Sequence, residues 1–435
     1  MKHFISFFKS RKKILLLSVI NAIILLLATY LWDNFPYSFP DGPSTRQWIE
    51  GFKSVTNTDE SYTDSILIIN NAYDRELVAI TDSDGFPIGN IDITDRRKLL
   101  SFLEQAKRAN NYKYIILDIN FKEGYNTPVD SALFHTIASM ERIVIPKHEG
   151  QQLADSVLYD KAYYNDYNTT ILESGFIKYE YLKNGEYSLP LSIYHELTNN
   201  SIDNHGIIYY SGNNFCRKCI QISFPIRAWD YRDINGNNNY YHLGSDLIDN
   251  PNVDISQYIK NKYIVIGNIT ESDIHSTFIG PLPGAIISLN ALIALINNEH
   301  IIDWSSIILI FIFYIFLSFI IFRQLKIGFR VINIIKPIYY KASDLSKPIT
   351  HNKITRLFKP IYSVIAKIFA PICHIVTDLI KFAIPYVGIG ILLKCIAIIC
   401  YFTHNAEFNI FIPTFWLGTI NLILTYIRQK QSCRN

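Results

Sequence analysis

Residues 14–32 form nineteen consecutive positions without a charge. At a helical rise of 1.5 Å per residue such a run is roughly 28 Å long, one bilayer core. The feature recurs at residues 304–322, at 382–402, where only Lys394 is charged, and at 408–427. Buried helices of soluble proteins do not need apolar runs of this length, so four transmembrane spans are expected. Lys9, Arg11, Lys12 and Lys13 precede the first run, as in a secretory signal. Its apolar part is too long for one, and no small-x-small cleavage site follows Leu27-Ala28-Thr29-Tyr30, so the expectation is an uncleaved signal anchor.

The formal net charge of +3 conceals a strong segregation. Residues 33–303 carry 21 basic and 35 acidic side chains, whereas residues 1–32 carry 5 and 0 and residues 304–381 carry 11 and 2. A nucleic-acid binder is excluded. Basic residues beside spans favour the cytoplasm. This puts the N-terminus (1–13), the 323–381 loop and the 428–435 tail inside. The 33–303 domain and the 403–407 hairpin are then outside.

Within the loop, Ile361, Ile365, Ile368, Ile372, Ile375 and Leu379 recur at helical spacing, with Lys367, His374, Asp378 and Lys381 on the other face. This predicts a helix lying on anionic membrane lipid, or docking on a partner, broken or kinked by Pro360, Pro371 and Pro385. Lys394 inside a span costs roughly 2.5–3.5 kcal/mol on insertion scales. Either it snorkels outward, or it meets an acidic group of a partner or of a second copy. Gly388 and Gly390 read as close helix packing rather than a phosphate loop.

The exported domain alternates strands and helices. Residues 65–70, 112–119, 142–146, 205–211 and 262–267 read as strands, and 95–108, 131–140 and 286–298 as helices. Helical crossovers between apolar strands predict an α/β fold, a mostly parallel sheet covered by helices on both faces.

Residues 258–301 (YIKNKYIVIGNITESDIHSTFIGPLPGAIISLNALIALINNEHI) resemble the closing segment of the type-2 CHASE extracellular sensor domain. The matching positions are Ile266-Gly267, Asp273, Thr277, Pro283-Gly284 and Asn290-Ala291. Asp95-Arg96-Arg97 resembles the family's Arg before its first helix, and Ile115-Ile116-Leu117-Asp118-Ile119-Asn120-Phe121 its second strand. The likeness covers about 60–301, and the family's arrangement of one span, sensor and three spans parallels the spans above. It implies a bacterial inner-membrane sensor. Two positions depart from the pattern. Asn70-Asn71, with Asp74 nearby, stand where the family commonly has acidic residues. The chain also ends eight residues after Ile427, so a CHASE protein without a cytoplasmic effector is expected.

Parallel sheets bind ligands beyond the carboxyl ends of their strands. Asn70, Asn71, Asp118, Asn120, Asn268, Asp273 and Thr277 fall at or after such ends and are the candidate ligand-binding residues. Each could instead cap a helix or satisfy a turn, as Asn and Asp do routinely. Cys216 and Cys219 are expected to form a disulfide in an oxidising compartment; the alternative is a thiolate favoured by Arg217 and Lys218. No metal set accompanies them, no cofactor is implied, and no His-Glu-x-x-His, Gly-x-Ser-x-Gly or P-loop pattern occurs. The expected function is therefore non-enzymatic. The domain would sense a small molecule or peptide and act through an envelope or signalling protein, or through a homo-oligomer. The alternative is a structural accessory subunit of an envelope complex.

Overall fold

The computed structural model describes residues 11–36, 65–81, 84, 86–166, 168–169, 176–226, 239–270, 273–277, 279–323, 386–400 and 409–432. The chain divides into two compact units, one of residues Asp33–Asp303 and one of Met1–Trp32 with Trp304–Asn435.

The first unit is built on a six-stranded sheet. Its strands are β1 (Ile66–Asn70), β4 (Tyr114–Asp118), β5 (Ile143–Lys147), β6 (Ala162–Tyr164), β7 (Tyr240–His242) and β8 (Tyr263–Gly267), in the spatial order β7-β1-β8-β4-β5-β6. Every neighbouring pair is parallel. The remaining early strands, β2 (Arg75–Thr81) and β3 (Pro87–Thr94), form a separate antiparallel ribbon. Because successive side chains alternate across a strand, one strand feeds two cores. Ile66, Ile68, Tyr114, Ile116, Val144 and Val265 point into one, against α4 (Leu189–Thr198) and α5 (Gly284–Ile296). Leu67, Ile69, Ile115, Leu117, Ile143, Ile145, Ile264 and Ile266 point into the other, against α2 (Arg96–Ala109) and α3 (Asp130–Ser139). The α/β class with helices on both faces of a parallel sheet is thus observed.

Local chemistry explains the helix ends. Asp95 caps α2, its side chain accepting from the backbone N–H groups of Arg97 and Lys98, while Asn110 closes the other end in a left-handed conformation. Lys107 and Arg108 sit in the last turn, where the helix dipole favours cations. The expected strand at 205–211 is instead a hairpin. Gly206 turns at φ +80°, and Asp203–His205 pairs antiparallel with Ile208–Ser211 outside the main sheet.

The second unit holds α1 (Arg11–Asp33), α6 (Trp304–Arg323), α7 (Tyr386–Cys400) and α8 (Phe411–Ser432). Of the four expected spans, two are long and apolar enough to cross a membrane among the described residues. These are the Lys12–Asp33 part of α1, 22 residues, and α6, 20 residues. Helix α7 and the apolar Phe411–Ile427 part of α8 fall short of that length, and residues 382–385 and 401–408 lie outside the described ones. So does the expected amphipathic helix at 356–381. Asn21 brackets three helices: its Nδ2 donates to Ser318 Oγ at 2.9 Å, and its Oδ1 accepts from Trp416 Nε1 at 2.8 Å. Thr29 Oγ1 and Tyr314 Oη lie 3.1 Å apart. The glycine that permits close helix packing is Gly418, where an added Cβ would stand 2.3 Å from the Tyr386 ring. At Gly390 the nearest atom would be an ordinary 3.5 Å away.

Candidate functional site

Five adjacent strands of the main sheet end at one cleft of about 790 Å³. Asn71 follows β1, Asn268 follows β8, Asp118 and Asn120 come from the end of β4, His148 from β5, and Asn165 and Asp166 from the turn after β6. The hairpin of β9 (Ile274–Thr277) and β10 (Gly280–Pro283), with the residue just before it, supplies Asp273 and His275. The β2–β3 ribbon adds Arg75, Asp92 and Thr94 on another side. Parallel strands point all their carboxyl ends one way, so the polar residues that end the apolar runs converge there.

Asp118 is half-buried on this floor. Asn165 is fixed by Tyr179 Oη and Ser288 Oγ, which donate to its Oδ1 at 2.8 and 2.9 Å. Its Nδ2 then points at Asp118 Oδ1, 3.5 Å away, a long hydrogen bond. Burial pushes the Asp118 carboxyl up to about 7; the charge of Asp273 adds to the shift, and His148 and His275 oppose it. His275 Nε2 pairs with Asp273 Oδ1 at 3.2 Å, and His148 Nδ1 with Asp166 Oδ1 at 2.7 Å. Arg75 is held by Asp92, its Nε donating to Oδ2 at 3.1 Å. Asn71 is 1% exposed; its Nδ2 donates to Thr94 Oγ1 at 3.1 Å, while its Oδ1 has no hydrogen-bond partner among the described residues. Lys122 and Tyr125 complete the rim.

Of the seven expected ligand-binding residues, Asn71, Asp118, Asn120, Asn268 and Asp273 line the cleft. The other two do structural work elsewhere. Asn70 is fully buried, accepting from the backbone of Ala72 and Ile269 and donating to Tyr240 Oη, so it ties the ends of β1, β7 and β8 together. Thr277 Oγ1 donates to the Gly280 carbonyl and accepts from Ile279 N, closing the β9–β10 turn. Two of the five also have local duties. Asn268 Oδ1 accepts from both N–H and hydroxyl of Thr270, and Asn120 Oδ1 accepts from Gln151 Nε2.

Arg96 borders the cleft but is a structural lock. It is 3% exposed, donates to Asp130 Oδ2 at 2.5 Å and lies over the rings of Phe121 and Phe134. Asp74 is likewise structural, accepting from Lys98 Nζ and from Gly244 N. His148 ends β5 as Asp118 ends β4, so the same strand-end rule points to it. Arg75, Asp166 and His275 come from a ribbon, the segment after a very short strand and a hairpin, none of which carries an apolar run.

Cys216 and Cys219 are not bridged. They belong to different sheets: Cys216 pairs with Tyr209 and Ile301, Cys219 with Glu180. The intervening backbone is held apart, Arg217 N by the His300 carbonyl and Lys218 N by Asn34 Oδ1. Burial pushes both thiols up to about 12, which also opposes the thiolate alternative. Lys394 is half-buried on α7, off the buried stripe of Ile389, Leu393, Ala397 and Cys400. Among the described residues no group of three or more His, Cys, Asp and Glu side chains is gathered to hold a metal ion. No protein-family model matches this chain, and neither does any curated protein or solved structure.

Proposed function

We propose that the chain is a membrane-anchored binding protein whose acidic α/β unit captures a small polar ligand and acts through partner proteins. One observation carries this reading: an open cleft of about 790 Å³ into which five parallel strands aim polar termini, with two carboxylate–histidine pairs around it. Ligand sites are commonly of this size, with a few convergent polar groups. The likeness of residues 258–301 to the type-2 CHASE sensor supports the same reading, and a bacterial inner-membrane location follows from it. The four-span arrangement, with the basic 323–381 loop inside and 33–303 outside, is part of the proposal, as is Lys394 as a contact to a partner or a second copy. The role is sensory rather than catalytic.

The test is a melting-temperature screen of the full chain in detergent against a mixed panel of small polar metabolites. A saturable rise that is lost on substitution of cleft residues supports the reading, and its absence across the panel sinks it. Orientation is tested separately, by labelling a thiol introduced into the acidic unit with an impermeant reagent on intact spheroplasts. Labelling only after lysis would overturn the topology.

A second reading, an accessory subunit that binds another protein, draws on the β2–β3 ribbon. Tyr73, Leu77, Phe86 and Ile88 are each about two-thirds exposed or more there. Such apolar exposure suits a docking arm. The open polar cleft favours the ligand-binding reading over this one.

A further inference from the structure

The charges around the cleft are unequally committed. Arg75 is held by Asp92, Arg96 by Asp130, and Asp166 by His148 and the Glu149 backbone N–H. Asp273 is paired with His275. Among the described residues Asp118 has only the 3.5 Å donation from Asn165, whereas a carboxylate can accept about four hydrogen bonds. A second acceptor short of donors belongs to Asn71, which also lines the cleft: its Oδ1 is buried and has no partner among the described residues. A buried acceptor left without a donor is costly, so the site favours a ligand that donates.

Resting on the binding reading above, we infer that the cleft takes a small molecule bearing a primary ammonium group, with Asp118 as its counter-ion and Asn71 Oδ1 as a second acceptor. An ammonium brings three donors and the charge that an ionised Asp118 lacks. Asn71 and Asp118 follow strands separated by β8 alone, two strand spacings or roughly 10 Å. One elongated ligand can therefore donate at both, which fits a polyamine or a basic amino acid. Asp273 and Asp166 add negative potential, so an anion would meet three carboxylates, opposed by Lys122 on the rim.

Protonation is coupled to this binding. The groups around Asp118 are Asp273 and His275 from the hairpin segment, His148 just after β5, Asn165 with Asp166 after β6, the buried Tyr179, and Lys122 on the rim. A cation selects the ionised carboxyl. Acidification protonates Asp118, and that change opposes a cation.

The full chain in detergent, at about 0.15 M salt to screen surface charge, is titrated with spermidine and with L-lysine. Citrate and glucose serve as anionic and neutral controls. The expected result is a saturable rise in melting temperature with spermidine or L-lysine, lost in Asp118→Asn. Binding should also be about tenfold weaker at pH 6 than at pH 8, as a group titrating near 7 requires. Whichever probe binds tighter separates the polyamine from the amino-acid source. Should Asp118→Asn fail to fold, Asp273→Asn and the wild-type pH comparison carry the test. A rise retained in Asp118→Asn marks counter-ions on an acidic surface and overturns the inference, as does no rise with either amine. A rise with citrate or glucose alone discards the ammonium class but keeps the cleft as a binding site; no rise across the wider panel discards both.

Discussion

Gly267 and Asp118 are register partners at the ends of adjacent parallel strands, and the missing side chain of the glycine is what lets them close up. A Cβ there would stand 3.2 Å from Asp118 Cβ and 3.0 Å from Ala285 Cβ. Gly267→Ala is therefore expected to push α5 or Asp118 away and to destabilise the unit by about 1–3 kcal/mol, the usual cost of overpacking. Urea unfolding of the full chain in detergent measures it. An unchanged midpoint would mean that neighbouring atoms yield freely.

The Arg96–Asp130 pair is buried at both ends, and Asp130 also accepts from Thr127 N and Thr127 Oγ1. Removing one partner strands the other charge in an apolar setting between Phe121 and Phe134. Asp130→Ala is expected to cost about 3–5 kcal/mol. A double variant, Arg96→Met with Asp130→Leu, should recover much of that loss in the same unfolding measurement.

Stability should respond to pH through Asp118 in a definite direction. Its carboxyl titrates at about 7 in the fold against 3.8 ordinarily, so the protonated form is the favoured one. The associated stability is complete below pH 4 and is lost as pH climbs through about 7. His300, buried and lowered to about 4, works oppositely, losing stability as pH falls. Comparing Asp118→Asn with wild type isolates the first effect. The variant should melt near the wild type at pH 4 and above it at pH 8. Parallel melting curves at all pH values would refute the shift.

Asn21 holds α1, α6 and α8 through Ser318 and Trp416. Asn21→Leu keeps the volume but leaves the Trp416 N–H without its acceptor, and should weaken helix association by about 0.5–2 kcal/mol. Thermal denaturation followed by Trp fluorescence reads this, Trp416 being one of the five reporting tryptophans.

The buried thiols of Cys216 and Cys219 should resist alkylation in the native chain and react on denaturation. Intact mass should be the same with and without reductant. A gain of two mass units on reduction would restore the disulfide.

The parallel sheet was legible because β1, β4, β5 and β8 are uninterrupted apolar runs, buried on both faces. The edge strands β6 and β7 were not, since Ala162-Tyr163-Tyr164 and Tyr240-Tyr241-His242 have too few residues to show a pattern. In the cleft, a single position separates a residue that lines it from one that does not. Asn70 and Asn71 are adjacent, yet the first staples strands and the second faces the cleft, and composition does not distinguish them. Arg75 and His275 reach the site through tertiary folding alone. The cysteine expectation failed for the same reason: proximity in sequence did not reveal that a sheet boundary runs between the two.

The position of β8 has a consequence for biogenesis. It is the last strand of the sheet to be synthesised, yet it pairs with β1 on one side and β4 on the other. Until the ribosome has passed Gly267, those two strands present bare edges to each other across an empty slot. A truncated chain would therefore be exposed to non-native strand pairing. Completion of this sheet thus requires its most C-terminal strand.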